Sequence, residues 1–359
     1  MKILVINPGS TSTKIALYDD LEQLVEKTIR YSEDELKDFS NVIEQFDFRK
    51  KSVIDTINNQ GYTLNDIDAV IGRGGIIKPI DSGIYLVNEQ LKEDLRTSPQ
   101  MHASNLGGLI ASQIASKVSK IKNTDIPAYI ADPVVVDEMQ DVARITGLPQ
   151  LQRKAIFHAL NQKAVAHRHA DTVARKYEDM NIIVAHLGGG VSIGAHKKGR
   201  IIDVNNALDG EGPFSPERAG SLPSGDLVRM CFSGEYTQQE VEKMLCGHGG
   251  FMAHVGSNDT RSIREEALGG HPEYTLLMDA MAYNVAKSIG AMAAVLCGEV
   301  DAIIITGGVA YGQMTCDYIT RMVEFIAPVI IMAGEDEMTA LAENVVRANN
   351  NPSIIKEYK

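Results

Sequence analysis

Four hydroxyl side chains in succession, Ser10, Thr11, Ser12 and Thr13, follow the pair Pro8-Gly9 and precede Lys14. The apolar run Ile3-Leu4-Val5-Ile6 leads to Asn7 and the turn, and Ile15-Ala16-Leu17-Tyr18 leads away from it. Pro8-Gly9 sets a tight turn, and the turn's N–H groups and hydroxyls can face an anion. Alone, the pattern is equally that of an ordinary β-hairpin with a polar tip. Two further turns of the same kind weigh against that reading. Gly188-Gly189-Gly190 follows the apolar run 182–187, and Gly307-Gly308 follows 301–306. Glycine lets backbone N–H groups approach a phosphate that a side chain would fend off. Three such turns suit a nucleotide site in a cleft, two holding phosphates and the third lying against adenosine. No Walker P-loop occurs, and no Gly-x-Gly-x-x-Gly follows a strand.

Phosphate chemistry also needs cations. Arg73 stands in Ile71-Gly72-Arg73-Gly74-Gly75, where flanking glycines leave its fork free for a carboxylate or phosphate. His186 ends the strand that enters the second turn. Arg261 follows Asp259 in Ser257-Asn258-Asp259-Thr260-Arg261, where a local salt bridge is the plainer alternative. Asp132, before Pro133, reads equally as a strand-end turn residue. His102 precedes a helix start where Ser104 suits an N-cap. His158 follows Phe157 and reads equally as a helix-face histidine.

The elements that position these residues follow from periodicity. Residues 1–6 and 14–18 predict a hairpin, and 69–72, 128–131, 182–187, 191–195, 301–306 and 328–333 predict strands. Helices are expected over 33–59, 104–118, 154–177, 237–245, 274–297 and 336–349. Ser32 and Glu35 have the spacing of a capping box. Leu106, Ile110, Ile114 and Val118 share one helical face. A strand, a turn and a strand open both halves, so the pattern predicts an α/β architecture with coarse internal duplication. The 359 residues suggest two domains, 1–150 and 151–359, with the last helix packing back on the first. Hinges are expected near 148–152 and 328–335. A net charge of −12 argues against a nucleic-acid partner. No apolar run reaches membrane-spanning length, and Met1-Lys2 leads straight into a strand, with no room for a signal peptide. Cys231, Cys246, Cys297 and Cys316 show no paired spacing and read as reduced, mostly buried thiols of a cytoplasmic protein.

Taken in order, these segments resemble the acetate and propionate kinase group of the acetate–sugar kinase, heat-shock chaperone and actin superfamily, and within it most of all the butyrate and branched-chain fatty acid kinases. The resemblance covers essentially the whole chain. Residues 6–14 are similar to the family's first phosphate motif, Ala185-His186-Leu187-Gly188-Gly189-Gly190 to its second, and Thr306-Gly307-Gly308-Val309 to its adenosine motif. The segment 257–261 resembles another part of the nucleotide site. The resemblance implies two actin-like (ribonuclease H-like) domains with a nucleotide cleft between them. It implies reversible transfer of the γ-phosphoryl group of ATP to a short-chain fatty acid. Asn7, Gly9, Ser10, Ser12 and Lys14 would then bind nucleotide with His186, Gly188, Gly189, Gly190, Asp259, Arg261, Gly307 and Gly308. Arg73 and His102 would hold the acid, and Arg73, Asp132, His158 and His186 would act at the transferring group. Asp132 would orient Arg73 or a metal-bound water. Mg2+ would bridge phosphate oxygens with Asn7 and Glu337 as protein ligands. A homo-oligomer formed through the second domain is implied as well.

Two departures bear on the acid. The family's acetate kinases carry a second histidine where this chain has Gln162, and an arginine where Pro223 precedes Ser224-Gly225-Asp226. Both favour the butyrate branch and leave the cationic role to Arg73, His186, Arg261 and metal. Small or apolar side chains near His102 and Arg73 are expected to set chain length. The alternatives are a kinase for isobutyrate, propionate or acetate, and, from another class, a non-catalytic ATP-switched binding module. Arg73, His102 and Asp132 argue against the module.

Overall fold

The opening apolar run becomes β1 (Lys2–Pro8), and the hydroxyl turn returns it antiparallel as β2 (Ser12–Asp19). The computed structural model describes residues 1–359. A further antiparallel strand, β3 (Glu22–Arg30), follows. It is mostly exposed, so it lacks the alternation that would have announced it. On the other side of β1, β4 (Ala69–Arg73) runs parallel to it. Next come the antiparallel β5 (Ile84–Leu86) and β6 (Ala128–Ala131), β6 lying parallel to β4. The short strand Ile355–Lys356 closes that edge against β5.

Helix Asn105–Lys122 covers this sheet. Its Leu106, Ile110, Ile114 and Val118 are fully buried in one core with Leu4, Ile6, Ile15 and Leu17. Two glycines permit the close approach. A Cβ on Gly72 would strike the Gly107 carbonyl, and one on Gly107 would strike the backbone of Arg73.

The second sheet repeats the pattern. β7 (Asn181–Leu187), β8 (Val191–Lys197) and β9 (Arg200–Val204) form an antiparallel meander. β10 (Ala302–Gly307) lies parallel to β7, and β11 (Val329–Ala333) parallel to β10. The order β9-β8-β7-β10-β11 matches β3-β2-β1-β4-β6 in sequence and in direction. This is the duplicated actin-like arrangement. β7 is buried along its whole length because both its faces are covered. Ile183, Ala185 and Leu187 pack with Val285 and Ile289 of helix Pro272–Val295. Ile182 and Val184 pack with Val165, Ala166 and Ala170 of helix Ala159–Thr172.

Several boundaries differ from expectation. The compact units are residues 1–136 with 336–359, and residues 137–335. The division expected at 150/151 therefore falls inside the second unit, and the last helix, Glu337–Asn350, belongs to the first. The helix expected over 33–59 is interrupted. Glu33–Leu36 carries the Ser32/Glu35 capping box, then a 3-10 turn at Ile43–Gln45 leads into helix Phe46–Asn59. Ser40 and Asn41 donate to the Glu44 carboxylate in between, offering the chain a local alternative to helix. The helix expected from 154 begins at Ala159. Arg153 pins the preceding segment through Asp203 at 2.9 Å and the Val204 carbonyl at 3.0 Å. All four cysteines are free thiols, but only Cys316 is buried, and Cys231 and Cys297 are exposed. No helix is long and apolar enough to cross a membrane.

Candidate active site

In the first unit a fully buried arginine, Arg49, builds the hydroxyl turn. From helix Phe46–Asn59 its guanidinium donates to the carbonyls of Gly9 (2.7 Å), Ser10 (2.7 Å) and Ser12 (2.9 Å). It stacks 4.8 Å over the Tyr31 ring. With these carbonyls drawn inward, the turn is free to present N–H groups outward, although the Gly9 N–H closes on Ser12 O at 2.8 Å. Ser10 and Thr11 are exposed and Ser12 half-buried. Thr13 is buried and accepts from Tyr31 Oη at 3.0 Å, which removes it from the turn's open face. Lys14 pairs across the sheet with Glu26 at 3.0 Å.

Arg73 ends β4, held there by the Gly72–Gly107 approach. Its guanidinium forms an ion pair with Glu337, the first residue of the last helix. Asn7 Nδ2 donates to the other carboxylate oxygen of Glu337 at 2.7 Å. Three residues read separately from the sequence thus form one cluster at the ends of β1, β4 and a helix N-terminus, where a carboxylate also meets the helix dipole. The buried Asp132 follows β6 at φ +40°, a left-handed conformation. Its Oδ1 accepts from Ser82 Oγ and Gly83 N, each at 2.7 Å, so it fastens the loop before β5. Ser104 occupies the N-cap position but caps nothing. Its hydroxyl lies 2.9 Å from His102 Nδ1, and its N–H donates to that same nitrogen at 3.2 Å. Nδ1 is therefore the acceptor, which leaves the proton of the neutral ring on Nε2. Burial, then the charges of Arg73 and Arg49, hold the His102 imidazole below the usual histidine range.

In the second unit the Gly188-Gly189-Gly190 turn closes with Gly188 N–H on Gly190 O at 3.0 Å. A Cβ on Gly190 would overlap the guanidinium of Arg218, which donates to the Ala207 carbonyl at 2.6 Å. His186, at the end of β7, is buried, with Nδ1 2.7 Å from Asn161 Oδ1. Its Nε2 lies 3.0 Å from Glu335 Oε1 but makes no aligned hydrogen bond. A buried ring nitrogen of this kind is a place for a ligand oxygen. The His158 ring stacks on His186 with centroids 3.8 Å apart and planes 13° from parallel. Gln162, where the second histidine was expected to be missing, is fully buried and hydrogen-bonded to Ser192.

A pocket of about 320 Å³ lies beside them, with Asp259, Arg261, Gly308 and Thr315 in its wall. Asp259 caps helix Thr260–Leu268 by accepting the Arg261 N–H at 3.0 Å, so the Arg261 guanidinium lines the pocket without an ion pair to Asp259. Thr315 Oγ1 is buried there with no partner. A second pocket of about 170 Å³ shares Thr260, Gly308 and Val309 with the first and continues to Gly188, Gly189 and Glu335. Gly188 and Gly189, residues 258–261 and Gly308 thus line two adjoining pockets. Gly307, at φ +90°, makes the sharp exit from β10 against the Leu187 backbone.

Arg49, Glu335, Arg218 and Thr315 were not singled out from the sequence. Arg49 sits beside Lys50 and Lys51 in a helical run, the usual mark of a solvated basic face. No group of three or more His, Cys, Asp or Glu side chains is arranged to cage a metal. The cluster at Glu337 offers one carboxylate and one amide, a donor set suited to a hard cation that arrives with its own phosphates and water.

Comparison with known proteins establishes the family. Residues 148–342 match the model of the acetokinase family. The chain is 54% identical to butyrate kinase 2 of Clostridium acetobutylicum over 359 residues, covering all of this chain and 99% of that protein. It is 50% identical to butyrate kinase 1 of the same organism, with the same coverage. The crystal structure of Porphyromonas gingivalis acetate kinase superposes with a TM-score of 0.75 at 20% identity, covering 99% of this chain and 100% of that one. With its duplicated sheets, its three turns and full-length relatives of this closeness, the chain belongs to the acetokinase family.

Proposed function

We propose that the protein transfers the γ-phosphoryl group of ATP to the carboxylate of butyrate, giving butanoyl phosphate and ADP, reversibly and in line. A carboxylate oxygen forms the new bond to phosphorus as the bond to the ADP oxygen breaks. No base is needed, because the acid is already ionised. Catalysis then rests on positioning and on charge around the phosphoryl group. The observation that carries the reading is the pair of adjoining pockets in the second unit, which share Thr260, Gly308 and Val309 and take their walls from Gly188, Gly189 and residues 258–261. Adenosine lies against Gly308, Asp259 and Arg261, and phosphates lie toward Gly188 and the His186 Nε2. In the first unit Ser10, Ser12 and the Gly9 backbone take phosphate oxygens, and Lys14 joins them on release from Glu26. Arg73 and His102 hold the acid, while Asp132 fixes the loop beside Arg73 and His158 backs His186. Magnesium would be held through Asn7 and Glu337, where it would supply positive charge to the transferring group. The reaction is assigned to the cytoplasm, and the chain to a homo-oligomer through the second unit. There Leu276 and Tyr283 of helix Pro272–Val295 are 71% and 46% exposed.

Butyrate is chosen because the two relatives at 54% and 50% identity are butyrate kinases. Two methylenes beyond acetate are worth about 0.8 kcal/mol each when buried, a preference of roughly tenfold. Initial rates of acyl phosphate formation, trapped with hydroxylamine, test this across acetate, propionate, butyrate, isobutyrate and valerate. A maximum of kcat/KM at butyrate is expected. A maximum at isobutyrate, propionate or acetate replaces the acid. ATP binding with no turnover on any acid replaces the enzyme with an ATP-switched module.

A further inference from the structure

Beneath the His158–His186 stack runs a file of buried polar groups. Tyr177 Oη lies 2.8 Å from His196 Nδ1. His196 Nε2 lies 3.0 Å from Gln162 Oε1. Gln162 Nε2 lies 2.9 Å from Ser192 Oγ, and Ser192 Oγ lies 2.9 Å from His158 Nδ1. His196, Gln162 and Ser192 are each fully buried, so every proton in the file needs a partner. Gly194 leaves the room, since a Cβ there would overlap Gln162 Oε1.

Proton positions follow by elimination. The Gln162 amide also contacts the Ser192 backbone carbonyl at 3.1 Å, and a carbonyl only accepts. The atom facing it is therefore the amide nitrogen, which fixes the Gln162 orientation. Its oxygen, at the other side, must accept from His196 Nε2–H. His196 Nδ1 is then bare and accepts from the Tyr177 hydroxyl. Burial and the charge of Lys163 keep His196 well below the usual histidine range, so it stays neutral, as this arrangement requires. At the other end Ser192 Oγ already accepts from Gln162. Its own proton can go to His158 Nδ1. If His158 Nδ1 carried a proton instead, the Ser192 hydroxyl proton would be buried without an acceptor, which disfavours that tautomer.

We infer that Tyr177, His196, Gln162 and Ser192 form a one-way hydrogen-bond chain that holds His158 as the tautomer protonated on Nε2. These four are positioning residues for the phosphoryl-transfer step. The position where acetate kinases carry a second histidine is thus used here as an orienting link. The kinetic part of this inference rests on the function proposed above; the tautomer does not.

The test is nitrogen NMR of the intact protein labelled with 15N-histidine, with His158 assigned by its loss in His158→Gln. In the wild-type protein at neutral pH, His158 Nδ1 is expected to resonate as a bare, hydrogen-bond-accepting nitrogen and Nε2 as a protonated one. A proton on Nδ1 overturns the inference. Gln162→Met cuts the chain while keeping volume. It is expected to release His158 into a mixture of tautomers and to lower kcat by about tenfold, with KM for ATP nearly unchanged. An unaltered His158 spectrum in that variant also overturns the inference. Should Gln162→Met fail to fold, Tyr177→Phe serves instead, and His196 Nδ1 loses its donor there with a shift in its resonance. A fixed His196 resonance in Tyr177→Phe counts against the chain. Because the spectrum is read without turnover, failure of the chain and failure of the kinase reading are separable.

Discussion

At the scale of single residues, the site divides into what local chemistry announces and what only the fold can reveal. The turns at Gly188 and Gly307 were legible because turns are written in neighbouring residues, whereas Asp259 and Arg261 were singled out through the resemblance of segment 257–261, and the cap that Asp259 makes was not read. Arg73 was legible as a cation, but its reason for standing between glycines was not. Gly72 serves the helix below it, not the freedom of the guanidinium. Arg49 was not legible at all, because burial of a cation depends on carbonyls that lie 37 to 40 residues away in the chain. Its removal is informative for that reason. Arg49→Met removes the guanidinium donor from three carbonyls of the turn and leaves only Ser12 O with a second donor, the Gly9 N–H, so a loss of about 2–4 kcal/mol in folding stability is expected. Urea unfolding measures the loss, and a rise in KM for ATP larger than that for the acid shows that the turn itself has relaxed.

At the scale of elements, strong periodicity survived and local competition did not. Helix Asn105–Lys122 was readable because its apolar face keeps one period, and strands β1, β7 and β10 because each is a short, nearly continuous apolar run. β3 was hidden because an exposed edge strand keeps no apolar alternation. The break before helix Phe46–Asn59 was hidden because Ser40 and Asn41 act on a single carboxylate, Glu44, a contact with no periodic signature. The Gly72–Gly107 approach gives a direct element-level test. Gly72→Ala places a methyl group against backbone that cannot turn aside, so β4 and the helix must separate. A destabilisation of about 2–4 kcal/mol is expected from such overpacking. It is checked by thermal unfolding, and an unchanged melting temperature in Gly72→Ala would show that the approach does not limit the packing.

At the scale of the whole molecule, the duplication was legible as two strand–turn–strand openings, although the halves share no obvious sequence. What repeats is strand order and direction, which patterning constrains, while residue identity is left to each unit's own chemistry. The unit boundary was misplaced because contacts, not composition, define it. The exposed Leu276 and Tyr283 bear on assembly. A homo-oligomer through that face is expected to fall to monomers in Leu276→Glu with Tyr283→Lys, measured by sedimentation equilibrium. An unchanged mass would move the interface elsewhere. The return of residues 336–359 to the first unit has a consequence for biosynthesis. A ribosome delivers Arg73 before residues 137–335 and its carboxylate partner Glu337 only after them. Residues 137–335 leave the exit tunnel as a continuous stretch and can fold in order of emergence. The first unit has to wait, its sheet edge open and its arginine unpaired, until residues 336–359 have followed.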